Sequence, residues 1–288
     1  MHDCIPTSLA MKIAFFGTPN FTLEFLDSLT HHGLKPSLVV TGLDVPVSRK
    51  LTLTPPAPKL WAIDHEVSYL QPAVLSVDFI QTLKTEKFDL FIVVAYGKIL
   101  PEELINLPKY GTINVHYSLL PKYRGASPVE SAILSGETQT GVCIQQMVYA
   151  LDAGDILAEQ SVAISPTETH IELRERLNYI AVPMLLDLLT QIQLQTTFPR
   201  PQDTETLTLC KKIKKQDGLI ALTDDPHLLY RKFRAYYTWP GIYFFDTKNG
   251  KTLRVKIAQA HMNGDIFVID TVVPEGRKEM KYTDYQSW

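Results

Sequence analysis

Two stretches of this 288-residue chain are almost wholly apolar and of strand length, MKIAFFG at 11–17 and FDLFIVVAYG at 88–97. A strand that meets solvent on one face alternates apolar with polar residues, and one covered on both faces does not. Helix-length segments intervene between such runs, which predicts an α/β, Rossmann-like sheet, mostly parallel, with helices on both faces. TPNFTLEFLDSLTHHG, 18–33, carries an apolar stripe of Phe21, Phe25, Leu26 and Leu29. Thr18 is read as its cap, Pro19 as its first residue and Gly33 as its stop. PSLVVTG at 36–42 and GTINVHYS at 111–118 add strands. TGVCIQQMV at 140–148 and ILAEQSVAI at 156–164 are close enough to pair as a hairpin. HIELRERLNYIAVPMLLDLLTQI, 170–192, predicts a long helix that ends the first domain.

TTFPRPQDTE, 196–205, has two prolines and no periodicity, and reads as a linker. Beyond it a single helical pattern, DPHLLYRKFRAYY at 225–237, stands among the short strands GIYFF, TLRVKIAQA and GDIFVID. That mixture suits a small OB-like β-barrel. The expected division is an extension at 1–10, a catalytic domain at 11–195, the linker, and a C-terminal domain at 206–288. Charge follows this division. Residues 206–288 carry 14 Lys and Arg against 9 Asp and Glu, whereas 1–205 carry 14 against 22. A basic tail on an acidic body points to a polyanionic partner for the tail.

Several classes are excluded. The three cysteines, Cys4, Cys143 and Cys210, form no CxxC pair, which argues against a disulfide framework or a zinc site and for a reducing compartment. No apolar run reaches the length of a membrane span, and residues 1–10 lack the plan of a signal peptide, so a cytoplasmic protein is expected. GTPNF follows the first strand where a dinucleotide fold has GxGxxG, so no NAD is expected. Walker A, HExxH and GxSxG motifs do not occur.

The chemistry concentrates at the ends of the predicted strands. Asn114 and His116 are two apart on a strand and project to one face. An amide donor beside an imidazole suits a carbonyl whose oxygen gains charge under attack. Histidine also titrates near neutrality, which serves both halves of an acyl transfer. A lone histidine at a strand end is ordinarily satisfied by its surroundings, but SLLPKYRG follows it. Ser118, Leu119, Leu120, Pro121 and Arg124 make a loop of restricted shape that can wall a pocket. LDAGDI, 151–156, supplies Asp152 and Asp155. A carboxylate there would orient His116 or hold a water, or would simply occupy a turn. Spacing leaves this open, since Asp152 lies 36 positions from His116.

FGTPNF, Gln71-Pro72, VVAYGKILP, INVHYSLLPKYRGASP and LDAGDIL, in this order, resemble the formyl-tetrahydrofolate-dependent formyltransferases over about residues 11–205. The resemblance implies Asn114, His116 and Asp152 as the active centre. It implies folate lying against Tyr96, Gly97, Ile99, Leu100 and Pro101, near Gln71 and Pro72, with Ser118, Leu119, Leu120 and Pro121 alongside. The loop TGLDVPVSRKLTLTPPAPKLWA, 41–62, is similar to that of the members acting on tRNA. This implies tRNA contacts by Arg49 and Lys50, although Val45 stands where a second arginine is usual. LCKKIKKQDG, AYYTWPG and GRKEMKYTDY resemble the C-terminal domain of the same members, with Lys211, Lys212, Lys214 and Lys215 along tRNA phosphates. The implied reaction moves the formyl group of 10-formyltetrahydrofolate to the methionine amine of initiator methionyl-tRNA. No metal is needed, and a monomer with no membrane attachment is expected. Two alternatives are a formyltransferase for an amino-sugar nucleotide or glycinamide ribonucleotide, and a folate- or RNA-binding protein without turnover.

Overall fold

A computed structural model describes residues 11–47, 52–248 and 250–288. The first apolar run becomes β1 (Ile13–Gly17), buried at all five positions. After it come β2 (Leu38–Val40), the antiparallel pair β3 (Val45–Val47) and β4 (Thr52–Thr54), and β5 (Ser68–Leu70). The second apolar run is β6 (Leu90–Val94), again buried throughout, followed by β7 (Thr112–His116) and the two-residue β8 (Arg124–Gly125). β9 (Gln139–Gln146) and β10 (Ile156–Ala163) complete the series. Seven strands form one sheet in the order β10-β9-β7-β6-β1-β2-β5. The pairs from β7 to β5 are parallel, and β9 runs antiparallel to β7.

Alternate residues share a face. Ala14, Phe16, Leu38, Val40, Phe91 and Val93 therefore meet in one cluster, closed by Ile80 and Leu83 of α3 (Val77–Thr85). Before it in the chain lie α1 (Leu23–His31), which buries Phe25, Leu26 and Leu29, and α2 (Ala57–Asp64). α1 begins later than its sequence suggests. Pro19 is extended (φ −70°, ψ 158°), and a 3-10 turn at Asn20–Thr22 precedes the helix. Thr18 is not a cap, because its Oγ1 donates instead to the Tyr96 carbonyl at 3.1 Å. Gly33, at φ +76°, lies just past the helix end, as expected.

α4 (Glu102–Ile105), α5 (Pro128–Ser135) and α6 (His170–Leu194) follow. By length and composition α6 is apolar enough to cross a membrane, which corrects the expectation that no segment is. It nonetheless buries Leu173, Leu177, Ala181, Leu185, Leu188 and Leu189 at the three- and four-residue spacing of a core helix.

The chain divides into two compact units. The first comprises residues 1–124, 141–161 and 175–208, and the second 125–140, 162–174 and 209–288. The second unit contains β11 (Leu209–Cys210), α7 (Pro226–Ala235), β12 (Tyr243–Lys248), β13 (Lys251–Asn263), β14 (Ile266–Pro274), β15 (Met280–Lys281) and α8 (Tyr282–Ser287). β12 to β15 pair in order as an antiparallel sheet beside α7, the predicted helix. Asp225 caps that helix by accepting from the Leu228 N–H at 2.7 Å.

Candidate active site

The chain builds β1, β2 and β5 outward on one side, then returns to lay β6 against the other side of β1. In open α/β sheets such a reversal leaves a crevice beyond the carboxyl ends of the strands. The backbone turns sharply there, with Ala95 at φ +49° and Gly97 at φ +81° just after β6. A methyl group at Gly97 would meet nothing within 4 Å, so glycine serves the backbone angle and not a close approach.

β7 lies beside β6 and carries both side chains predicted from it. Asn114 stands opposite Gln145 in the β7–β9 ladder, and His116 opposite Cys143. Paired residues project to one face, so the amides of Asn114 and Gln145 converge. They converge on Asp152, in the loop between β9 and β10. Its Oδ1 accepts from Gln145 Nε2 at 2.9 Å and from Asn114 Nδ2 at 3.4 Å. Its Oδ2 lies 3.7 Å from His116 Nδ1, and both side chains are largely buried. Asp152 thus joins the strand pair despite its distance in sequence. Asp155 meets β9 through its backbone, its carbonyl accepting from the Gln146 N–H at 2.9 Å.

His116 Nε2 donates to the Tyr123 carbonyl at 3.0 Å. A carbonyl only accepts, so Nε2 carries a proton, and Nδ1 is the nitrogen left to change its protonation. The SLLPKYRG loop supplies that carbonyl. It is closed by Ser118 Oγ donating to the Lys122 carbonyl at 2.6 Å, and Leu120 N–H donates to Cys143 Sγ at 3.3 Å. Leu120 packs with Cys143 and Ile156 in a small apolar cluster. Burial pushes the Cys143 thiol well above its usual range, and so this cysteine fills space. Gly154 is required by proximity, because a Cβ there would lie 1.6 Å from the Gln146 carbonyl oxygen.

Other predicted positions divide by location. Tyr96 and Leu100 belong to the core cluster, and Ile99 is 78% exposed. Burial raises the Tyr96 hydroxyl to about 12, and that hydroxyl has no hydrogen-bond partner among the described residues. Gln71 Nε2 donates to the Gly42 carbonyl at 2.6 Å and to Asp44 Oδ1 at 2.8 Å, which ties down the loop after β2. Hydrogen bonds from Lys59 and then Gln71 hold Asp44 below the ordinary carboxylate value. The Pro72 carbonyl accepts from Lys98 Nζ. Pro101 and Leu119 are half-buried, and Pro121 is buried. Arg49 and Lys50 lie outside the described residues. Lys211, Lys212, Lys214 and Lys215 are exposed on the second unit. Among the described residues no three His, Cys, Asp or Glu side chains group as metal ligands.

Gln145 was not singled out from sequence, although it sits in a predicted strand. Its place opposite Asn114 follows from the β7–β9 register, which the sequence does not show. Gln202, whose amide reaches the Asp152 loop, lay in a segment read as linker.

The arrangement sets the Asn114 amide, a donor, and the His116 Nδ1 edge beside a carboxylate fixed by two amides. Such a set can stabilise an oxyanion and move one proton. The Formyl transferase profile matches residues 11–189, and the Formyl transferase, C-terminal domain profile matches 212–267. A methionyl-tRNA formyltransferase of Sulfurihydrogenibium sp. is 37% identical over 266 residues, covering 90% of this chain and 86% of its own. Among solved structures, a methionyl-tRNA formyltransferase from Clostridium thermocellum superimposes with a TM-score of 0.64 at 16% identity, covering 94% of this chain and 99% of its own. An N-formyltransferase from Helicobacter canadensis, in complex with folinic acid and dTDP-3-aminofucose, gives 0.66 at 17% identity and 88% of each chain.

Proposed function

The chain belongs to the formyl transferase family, and from that premise we propose that it transfers the formyl group of 10-formyltetrahydrofolate to the free methionine amine of initiator methionyl-tRNA. The observation that carries the mechanism is the meeting of Asn114, His116 and Asp152, with Asp152 Oδ1 3.4 Å from the amide and Oδ2 3.7 Å from the ring.

The amine attacks the formyl carbon, and the carbonyl oxygen becomes an alkoxide. Asn114 Nδ2 and His116 Nδ1 donate to it, each donor being worth about 3 kcal/mol in comparable sites. The attacking amine then loses a proton, and N10 of the folate gains one as the carbon–N10 bond breaks. His116 Nδ1 passes the proton it holds to N10, and the proton lost by the amine then replaces it, directly or through a water held against Asp152. Gln145 and Asn114 keep Asp152 pointed at the ring. Holding both substrates in one crevice supplies much of the remaining acceleration. Under the same reading the protein acts as a monomer in the bacterial cytoplasm, folate lies along the β6 end, and the exposed lysines at 211–215 track tRNA phosphates.

The fold is shared with enzymes of other amines, and likeness of fold alone does not choose among them. The sequence identity to a tRNA enzyme over nine-tenths of the chain supports the tRNA reading. Labelled formyl-folate offered with charged initiator tRNA or with amino-sugar nucleotides tests it. Label is expected on the tRNA, and transfer to the sugar alone would overturn the proposal.

A further inference from the structure

The segment read as a linker is bonded directly to the site. Arg200 exchanges two backbone hydrogen bonds with Ile156, at 2.8 and 2.9 Å. Two residues on, Gln202 Nε2 donates to the Asp152 carbonyl at 2.8 Å and to the Gly154 carbonyl at 2.7 Å. Its Oε1 accepts from Arg124 Nε at 3.0 Å and Nη2 at 2.7 Å. The four bonds use both amide hydrogens and both oxygen lone pairs. Further along, Thr208 Oγ1 accepts from the Tyr123 N–H at 2.8 Å, and the Thr208 carbonyl accepts from the Arg124 N–H at 3.0 Å.

These bonds converge on two things. Asp152 has φ +46°, a backbone angle unfavourable for a residue with a Cβ, so the loop needs outside support to keep its carboxylate in place. Gln202 supplies that support at the carbonyls of Asp152 itself and of Gly154. Tyr123, at φ +59°, presents the carbonyl that receives His116 Nε2, and Thr208 fixes Tyr123 from the same strap. We infer that residues 200–208 are part of the catalytic apparatus, and that Gln202 is a positioning residue that sets Asp152 against His116.

The activity arm of the test rests on the formyl-transfer reading above, and the spectroscopic arm does not. Two variants separate the halves of the Gln202 amide. Gln202→Glu keeps an acceptor for Arg124 and puts an oxygen where both carbonyls need a donor. Gln202→Met removes both halves at similar volume. Both are expected to lower kcat about 10- to 100-fold while KM for formyl-folate stays within about twofold. In the substrate-free enzyme, the ring ¹⁵N shifts of His116 at fixed pH are expected to move in both variants. A merely structural strap would lower Tm and leave those shifts and kcat unchanged, which would overturn the inference. A raised KM at unchanged kcat would overturn it too, since Gln202 would then be a substrate contact. Should Gln202→Met not fold, Gln202→Glu decides alone. Should the wild type formylate no tRNA, the proposed function falls and the ¹⁵N shifts still decide the role of Gln202.

Discussion

His116 is held by one nitrogen, and this defines what its removal does. Nε2 is committed to the Tyr123 carbonyl, which leaves Nδ1, on the side of Asp152, for the proposed transfer. His116→Ala should lower kcat by at least about 100-fold, the low end for a positioned acid–base group, with folate affinity within about twofold. Single-turnover formylation beside equilibrium folate binding checks this. Equal losses in both would mean that the ring supports the pocket and not the reaction. Asn114 and His116 were legible as a pair because a strand puts i and i+2 on one face. Asp152 was not, since nothing in its spacing distinguishes a carboxylate that reaches the ring from one that makes a turn. Only the resemblance pointed to it. Gln145 and Gln202 carried no signal at all, because an amide is chosen here for where its two ends fall in three dimensions.

Elements explain why those positions are reproducible. The antiparallel β9 brings Gln145 opposite Asn114, and the loop after it must turn back within hydrogen-bonding distance of the same strand. Gly154 permits this by letting its backbone press on the Gln146 carbonyl. Gly154→Ala should displace the 151–156 loop, costing about 1–3 kcal/mol of stability as an overpacked site does, and reducing kcat more than KM. Thermal denaturation together with steady-state kinetics would show it, and an unchanged kcat would separate the loop from catalysis. The buried strands were the most readable elements, as β1 and β6 have too few polar residues to face water. The start of α1 was misread because Thr18 and Pro19 fit a helix entry locally. A distant acceptor, the Tyr96 carbonyl, captured the Thr18 hydroxyl. Tertiary competition of this kind leaves no trace in the local pattern.

For the whole chain, two outcomes concern charge. Lys211, Lys212, Lys214 and Lys215 stand exposed on the second unit, and replacing all four by Ala should weaken tRNA use without touching folate use. The slope of log Kd for tRNA on log salt should shrink by up to about 3 if each lysine neutralises one phosphate. Binding titrations across salt concentrations measure this, and an unchanged slope would place the tRNA elsewhere. His170 is buried in the second unit, with Nδ1 donating to the Arg234 carbonyl at 3.3 Å. Burial, first among its causes, lowers its proton affinity below the ordinary value of 6.5. The unfolded chain therefore binds the proton more readily. Its contribution to stability is full above about pH 6.5 and is lost as pH falls through the folded value. The wild-type Tm should drop more steeply below that pH than the Tm of His170→Asn, which keeps a donor and removes the titration. Parallel curves would refute it.

The anchored ring also limits the itinerary of hydrogen in this protein. An imidazole that uses both edges can act as a turnstile, admitting a proton on one side and releasing it on the other. Here one edge is bolted to the main chain. On the proposed mechanism, every proton that His116 lends must come home through the doorway it left by, the one that Asp152 overlooks.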